Sequence, residues 1–479
     1  MEHRIRLLLL GALTVGLFNF SALAAEIARQ RVLVLTDISN EPDDEESLVR
    51  FLVYANEYDI EGLVATTSTH LRTRTREDLI RHQLDAYGQV RGTLAKHAPG
   101  YPTKEQLLAV TTTGQAAYGM AAVGEAKTSA GSRLVLAAAD KNDVRPLWIS
   151  VWGGANTLAQ ALHDARKERS PEELRKLVAK LRVYAISDQD DAGRWLRLEF
   201  PDLYYIVSPS SIGGRDYYRA TWTGISGDRH YRNGPLLDFE LVDNPWLEKN
   251  VIRDHGPLGA LYPKHKFIME GDTPSFLGLI ENGLGWSESP AFGGWGGRYV
   301  WVQSYAETHP IWTDSRDNRD TIVVAGHSHT SNQATIARWR KHFQYDFAAR
   351  MDWCVADDFK KANHNPVVVL NGDTTKRIVT LTAKPGDTLT FSSAGSSDPD
   401  GHAIVSHWMI YREAGTLGDE IKLSQTTGSE TSLTLPATLP PPRRGAPADH
   451  TVHVILTVED NGAPSLVAYR RAILTVLAQ

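Results

Sequence analysis

Asp43 and Asp44, a pair of adjacent carboxylates following closely on Asp37, are where this sequence offers chemistry most plainly. The apolar run Val32-Leu-Val-Leu-Thr36 leads into Asp37, and Leu48, Phe51, Leu52 and Ala55 recur at helical spacing after the pair. The pattern predicts a buried strand, a short loop closed by Pro42, and an amphipathic helix. That layout gathers three carboxylates at the carboxyl end of a strand, where open α/β sheets bind their ligands. Packed carboxylates repel one another unless a cation stands among them, and a hard divalent ion with oxygen ligands is the simplest remedy. A plainer assignment uses the same residues: Asp43 caps the helix by accepting free N–H groups, and Asp37 merely ends the strand.

Other stretches carry groups of the same kind. Phe267-Ile-Met-Glu270-Gly271-Asp272-Thr-Pro-Ser-Phe276 reads as a strand ending in two carboxylates, then a Pro and an apolar helix through Leu277, Leu279 and Ile280. Glu270 suits a general acid if apolar surroundings raise its pKa, and a strand-end salt bridge equally well. Asp188, Asp190 and Asp191 follow a predicted strand over 182–187 and so face the same rim, either as ligands for sugar hydroxyls or as helix-capping residues. Gly326-His327-Ser328-His329 follows an apolar run in the manner of metallophosphatases, but those enzymes also need an early Asp-x-His and an Asn-His-Asp/Glu pair, which this chain lacks. The phosphotransferase Asp-x-Asp fails as well, because position 39 is Ser.

The elements that must position these groups alternate. Strands are predicted at 32–36, 60–67, 146–152, 182–187 and 203–207, with helical patterns between them, the signature of a parallel sheet with crossover helices. Leu79, Ile80, Leu84, Tyr87 and Val90 mark one helix face, Asn156 is expected to cap the helix after the third clear strand, and Ser170-Pro-Glu-Glu173 is a capping box. A helical segment is predicted over about 333–357. Two aromatic, glycine-rich stretches interrupt the pattern. One, about 208–256, holds Tyr217, Tyr218, Trp222, His230 and Tyr231; the other, 285–305, holds Trp286, Phe292, Trp295, Tyr299 and Trp301. Such aromatics either stack on sugar rings or pack the loops onto the core.

From about Lys376 the pattern alternates with period two, and Gly395-Ser-Ser-Asp398-Pro-Asp400-Gly401 with Trp408 resembles the turn and central aromatic of polycystic-kidney-disease-type immunoglobulin-like modules. The predicted organisation is a leader over 1–24, an α/β domain over 25–362 and a β-sandwich over 363–479, with 363–373 as the linker entering it. The leader reads as a secretory signal, with Arg4 and Arg6 before an apolar run and a small-x-small site at Ala22-Leu-Ala24, which places the protein in the periplasm or outside the cell and off the membrane once the leader is removed. The single cysteine, Cys354, excludes a disulfide scaffold and a cysteine-based metal site. A formal charge of −6 without a basic stripe argues against nucleic acid. Homo-oligomerisation is left open.

The strand, Asp37, Asp43-Asp44 and helix resemble the opening motif of the nucleoside hydrolases, strand then Asp-x-Asp-x-Gly-x-Asp-Asp-Ala then helix, with a loop two residues longer and without its Gly. The motif's first Asp falls on Leu35. Thr36-Asp-Ile-Ser-Asn-Glu-Pro-Asp-Asp44 more specifically resembles a bacterial branch of that superfamily, a nucleoside-hydrolase-like domain followed by a β-domain, some members of which are described as cellulose-binding. The resemblance spans about 30–479.

It implies a nucleoside-hydrolase-like α/β fold and a metal site made of Asp37, Asp44, the carbonyl of Trp152 and Asp272, holding Ca2+ or alternatively Mg2+. It further implies Asp37 as the base on a calcium-bound water, Asp43 on a sugar hydroxyl, and Asn156 at the substrate, with Trp295 and Arg298 as further substrate-binding candidates. Gly271 stands where the family often has a leaving-group His, and Ala65-Thr-Thr-Ser68 replaces its Asn, so both an N-glycosyl and an O-glycosyl bond stay open as the one cleaved. The resulting expectation is an exported glycosidase acting on a carbohydrate, or a non-catalytic carbohydrate binder on the same fold.

Overall fold

β1 (Gln30–Thr36) is buried along nearly its whole length, as an uninterrupted apolar run requires of a strand covered on both faces. It lies inside an eight-stranded sheet of order β3-β2-β1-β4-β5-β6-β8-β7. The other strands are β2 (Tyr58–Ala65), β3 (Thr111–Thr113), β4 (Leu147–Val151), β5 (Leu181–Ala185), β6 (Tyr204–Val207), β7 (Val300–Val302) and β8 (Ile311–Thr313). All pair in parallel except β7, which runs antiparallel to β8 at the edge. This computed structural model describes residues 28–39, 41–207, 224–226, 239–266, 268–304, 307–314, 318–324, 326–417, 421–441 and 450–477. The expected leader and Tyr217, Tyr218, Trp222, His230 and Tyr231 lie outside the described residues.

The strand order locates the site. The chain moves outward from β1 through β2 to β3, then returns to the other side of β1 as β4. The carboxyl ends of β1 and β4 therefore flank the point where the winding reverses, the place such sheets bind ligands. One core layer packs the sheet against α1 (Pro42–Val53), α2 (Glu77–His97) and the helix Arg340–Trp353. A second packs its other face against Ala130–Asp140, Asn156–Glu168 and Ala192–Glu199.

Several local expectations are met, among them the reciprocal Ser170–Glu173 capping box. Others are corrected. No strand forms before Asp272 in the described residues; 268–273 is irregular, with Glu270 at φ 52°. The helix after β4 is entered from Ala155, and Asn156 is its first residue, not its cap. The cap residue of α1 is Glu41, which makes no side-chain cap bond, and Asp43 already lies within the helix, so the capping assignment for Asp43 fails. The Gly326–His329 motif sits on an exposed hairpin of β9 (Asp320–Val324) and β10 (His327–Ser331).

The C-terminal part has its own apolar core, in which Trp408 is buried. Its strands are β11 (Val379–Ala383), β12 (Thr388–Ser392), β13 (Ile404–Ile410), β14 (Glu430–Thr434), β15 (His450–Asp460) and β16 (Val467–Val476). One sheet has the order β11-β16-β15-β13 and the other pairs β12 with β14. Val367 exchanges backbone hydrogen bonds with Ser397, so the predicted linker is already tied into this sandwich. Among the described residues, no helix is long and apolar enough to cross a membrane.

Candidate functional site

Pro42 at the first helical position starts α1 just beyond the sheet, and the following two residues set Asp43 and Asp44 on its first turn. A carboxylate oxygen from each of Asp43, Asp44 and Asp272 lies within 4.8 Å of the others, and all three residues are buried. Asp37, only 3% exposed, stands beside this group closely enough to add to the repulsion felt by Asp44 and Asp272. The grouping differs from the expected one. Asp43 joins the trio, where it was expected on a sugar, and Asp37 stands beside it, where it was expected as a ligand; the Trp152 carbonyl accepts one hydrogen bond, from the Gln189 side-chain amide at 2.8 Å, and keeps a second lone pair.

The electrostatics of the cluster follow from its burial. Loss of solvent raises Asp37 to about 6, with the Ser68 hydroxyl and the His70 charge working the other way. Burial, then the charges of Glu41 and Asp37, push Asp43 up to about 8. Asp44 and Asp272 are held well above the ordinary carboxylate range by burial and by the neighbouring aspartates. Among the described residues no arginine or lysine forms an ion pair with any of the four. Asp37 Oδ1 and Asp272 Oδ2 are buried without a hydrogen-bond partner, an arrangement that is expensive for a carboxylate left alone. An all-oxygen donor set with orphaned anionic atoms fits a hard divalent cation of the calcium or magnesium type, and not zinc.

The glycine turn after β4 makes room for Asp37. A Cβ on Gly153 would collide with the Asp37 carboxylate, and one on Gly154 would meet Asp190 Oδ2 and the Thr67 carbonyl. Gly153→Ala is therefore expected to displace Asp37 without touching the core. Any calcium-induced rise in melting temperature should shrink markedly, while the metal-free melting temperature moves by no more than a few degrees; differential scanning fluorimetry with and without calcium would measure both.

Asp272 is held in place from α1. Glu46 accepts the Glu270 N–H at 2.8 Å, the Ser47 and Thr273 hydroxyls are hydrogen-bonded at 3.1 Å, and Arg50 forks onto both oxygens of Glu270, with Nη2–Oε1 at 3.0 Å. Tyr262 and Thr273 also donate to the Glu270 carboxylate. These bonds hold Glu270 in its left-handed backbone conformation, a strained one for a non-glycine residue. Glu270 is thus a brace for the Asp272 loop, which corrects its assignment as a general acid. On the other side, Ser275 donates to the Asp272 carbonyl at 2.6 Å and receives the Trp152 indole N–H at 3.0 Å.

The acids after β5 divide. Asp190 borders the site: its Oδ2 accepts the Asn156 N–H at 3.1 Å, and burial raises it to about 7. Asn156 reaches Thr67 Oγ1 at 3.1 Å and the Ala117 carbonyl at 2.9 Å, leaving its Oδ1 unpartnered. Asp188 is instead ion-paired with Arg197 at 2.8 Å, and Asp191 holds the Met120 N–H at 2.7 Å. Both Asp188 oxygens are taken by Arg197, which corrects its expected role on sugar, whereas Asp191 is exposed and gives the scaffold only its Oδ1. Trp295 and Arg298 are also corrected. The Trp295 indole donates to Tyr469 of β16 at 3.2 Å and so joins the two halves of the molecule, and Arg298 pairs with Asp320 of β9 at 2.8 Å within the first half. Sequence reasoning missed Ser68 and His70 beside Asp37; their position just beyond β2, the strand next to β1, was the available signal.

Residues 31–299, more than half of the chain, match the family described as cellulose-binding Sde182, nucleoside hydrolase-like domain. The chain belongs to this family. Residues 388–476 match cellulose-binding protein Sde0182, C-terminal domain. The solved structure of a nucleoside hydrolase-related hypothetical protein from Saccharophagus degradans, described as associated with carbohydrate metabolism, superposes with a TM-score of 0.77 at 35% identity, covering 94% of this chain and 100% of that one. The effector protein XOO4466 covers 69% of this chain and 95% of its own at 12% identity, but with a TM-score of 0.31 the superposition is too loose to bear on fold or function. No curated protein matches the chain. The fold is accordingly a nucleoside-hydrolase-like α/β core with a mostly parallel sheet, followed by a β-sheet domain.

Proposed function

We propose that this protein is an exported, metal-dependent glycosidase acting on a carbohydrate. The observation that carries the reading is the buried group of Asp43, Asp44 and Asp272 beside Asp37 at the reversal point of the sheet, with two carboxylate oxygens left without donors. Asp43, Asp44 and Asp272 would hold a calcium or magnesium ion, which supplies fixed positive charge for a sugar diol and makes a nearby water more acidic.

The chain's own residues do the rest. Asp37 Oδ1, unpartnered and buried, takes the proton of the water that attacks the anomeric carbon as the glycosidic bond breaks, the leaving group taking its proton from solvent. Gly153 leaves that carboxylate its space. The surrounding carboxylates stabilise the oxocarbenium-like transition state. Asp190, held by the Asn156 and Ala192 N–H groups, offers a rigid carboxyl group to a sugar hydroxyl. The leader-like residues 1–24 support export, and an exported enzyme meets glycans more readily than nucleosides destined for salvage. The family's description as cellulose-binding supports a carbohydrate ligand.

A second reading, a carbohydrate binder without turnover, has one specific support. The leaving group lacks an acid on the Asp272 loop, because Glu270 is committed to Arg50 and the residue before Asp272 is Gly271. Asp37→Asn separates the two. An enzyme should lose turnover by roughly 100- to 10,000-fold, the usual share of a general base, while keeping its glycan affinity. A binder shows no turnover in either form across aryl glycosides, nucleosides and oligosaccharides, and that outcome would reject the hydrolase.

A further inference from the structure

We propose that the β-domain carries a cation site of its own, formed by Asp398, His402 and Asp460 and suited to a borderline divalent ion of the zinc class. It does not depend on the hydrolase reading. One ligand atom from each residue lies within 4.8 Å of the others. Proximity alone would mean little, but two atoms of the group lack partners. The Asp398 side chain is fully buried; its Oδ1 accepts the N–H groups of Asp400 and His402, both at 2.9 Å, whereas Oδ2 has no partner. His402 Nδ1 is buried and unpartnered too, its nearest carboxylate oxygen being Asp398 Oδ1 at 3.6 Å, beyond hydrogen-bond reach. A carboxylate oxygen and an imidazole nitrogen buried in this way each forfeit hydration without compensation. A cation shared between them and Asp460 removes both deficits.

The donor set selects the ion. An imidazole nitrogen with two carboxylates is zinc-like coordination, usually completed by water, whereas calcium takes oxygen alone. The protein would then hold two ions of different chemistry, a hard one among Asp43, Asp44 and Asp272 and a borderline one here.

The surroundings say what the second ion does. Asp460 Oδ1 accepts the N–H groups of Gly462 at 2.8 Å and Leu466 at 3.0 Å, and its carboxylate also receives the Asn363 side-chain amide at 3.1 Å. Asp400, in the same turn as Asp398 and His402, accepts the His364 N–H at 2.8 Å and faces its ring nitrogen at 3.0 Å. Asn363 and His364 are where the chain leaves the α/β domain. An ion joining the 398–402 turn to the 460–466 turn therefore fixes the anchor of that crossing.

The test uses the full chain, stripped with chelator and titrated with Co2+ as a visible-absorbing stand-in for Zn2+. Wild type should take up one equivalent with intense four-coordinate bands that Zn2+ displaces. His402→Ala should lose these bands with at least ~100-fold weaker binding, the upper end of what even indirect ligand changes cause, while Asp44→Asn keeps them. His402 is partly exposed, so its truncation should leave the circular dichroism unchanged; Asp398→Asn, close in shape, is the second variant should that fail. Identical Co2+ spectra for wild type and His402→Ala overturn the proposal, as does a wild type that shows no Zn2+-displaceable bands or binds only Ca2+.

Discussion

Arg50→Met should destabilise the protein by about 3–5 kcal/mol, the range for removing one partner of a buried ion pair. Arg50 and Glu270 both have fully buried side chains. Besides the carboxylate, the guanidinium donates to the Phe343 carbonyl at 3.1 Å and to Gln344 Oε1 at 2.5 Å, and it lies over the Phe347 ring at 3.8 Å. Met retains the apolar stem and the ring contact, so the loss falls on the uncompensated Glu270 charge and the orphaned acceptors. Adding Glu270→Gln should restore much of the loss, because a neutral amide can be left without the cation at far smaller cost. The single variant should also lose calcium-dependent stabilisation, since Glu270 fastens the Asp272 loop to α1. Were Glu270 a general acid, Glu270→Gln would abolish turnover even under conditions where the variant stays folded. Thermal melts of the two single variants and the double variant, with and without calcium, test the brace, and turnover of folded Glu270→Gln tests the acid.

This contrast shows where sequence stops being informative. The opening loop was legible because everything needed to place it is local: an apolar strand, Pro42 at the helix start, and two carboxylates in the first turn. The chain order of strands and helices was legible through the same periodicity, and with it the rim on which Asp37 and Trp152 meet. Glu270 was not, because its partner Arg50 is 220 residues away, and an Arg on an amphipathic helix ordinarily reads as a surface residue. Trp295 was misread for the same reason: its partner Tyr469 lies 174 residues further on, in another domain, and an aromatic in a glycine-rich loop looks the same whether it faces sugar or a neighbouring sheet. Asp188 and Asp190 are two positions apart, yet one meets Arg197 and the other meets Asn156. Only the packing of the helix Ala192–Glu199 against β6 distinguishes them. The short strands β7 and β8 escaped notice because three residues cannot show a period.

The carboxylate cluster makes a prediction about pH whose sign can be worked out. A buried acid whose folded value lies above its unfolded one binds its proton more tightly in the native state. Its contribution to stability is fully present below the unfolded value, near 4, and is lost as pH rises through the folded value. For Asp37 and Asp43 the folded values are about 6 and about 8, and Asp44 and Asp272 are shifted the same way. Metal-free protein should therefore lose stability from this cluster between about pH 4 and pH 8, by a few kcal/mol at roughly 1.4 kcal/mol per unit. Carboxylates lowered by arginines, such as Asp143 beside Arg145, act oppositely, losing their contribution as pH falls. The cluster is isolated by comparing wild type with Asp272→Asn, which should be the more stable of the two without metal at pH 8 and nearly equal to wild type at pH 5. Calcium reverses the order. Ligands must shed protons to bind it, so affinity rises with pH. At a thousandfold excess over the dissociation constant, the ion stabilises by about 4 kcal/mol. The calcium-induced rise in melting temperature should thus be small at pH 5, large at pH 8, reversed by chelator, and absent in Asp272→Asn. A rise of equal size at both pH values, or one that survives in Asp272→Asn, would mean that the ion sits somewhere other than among these aspartates.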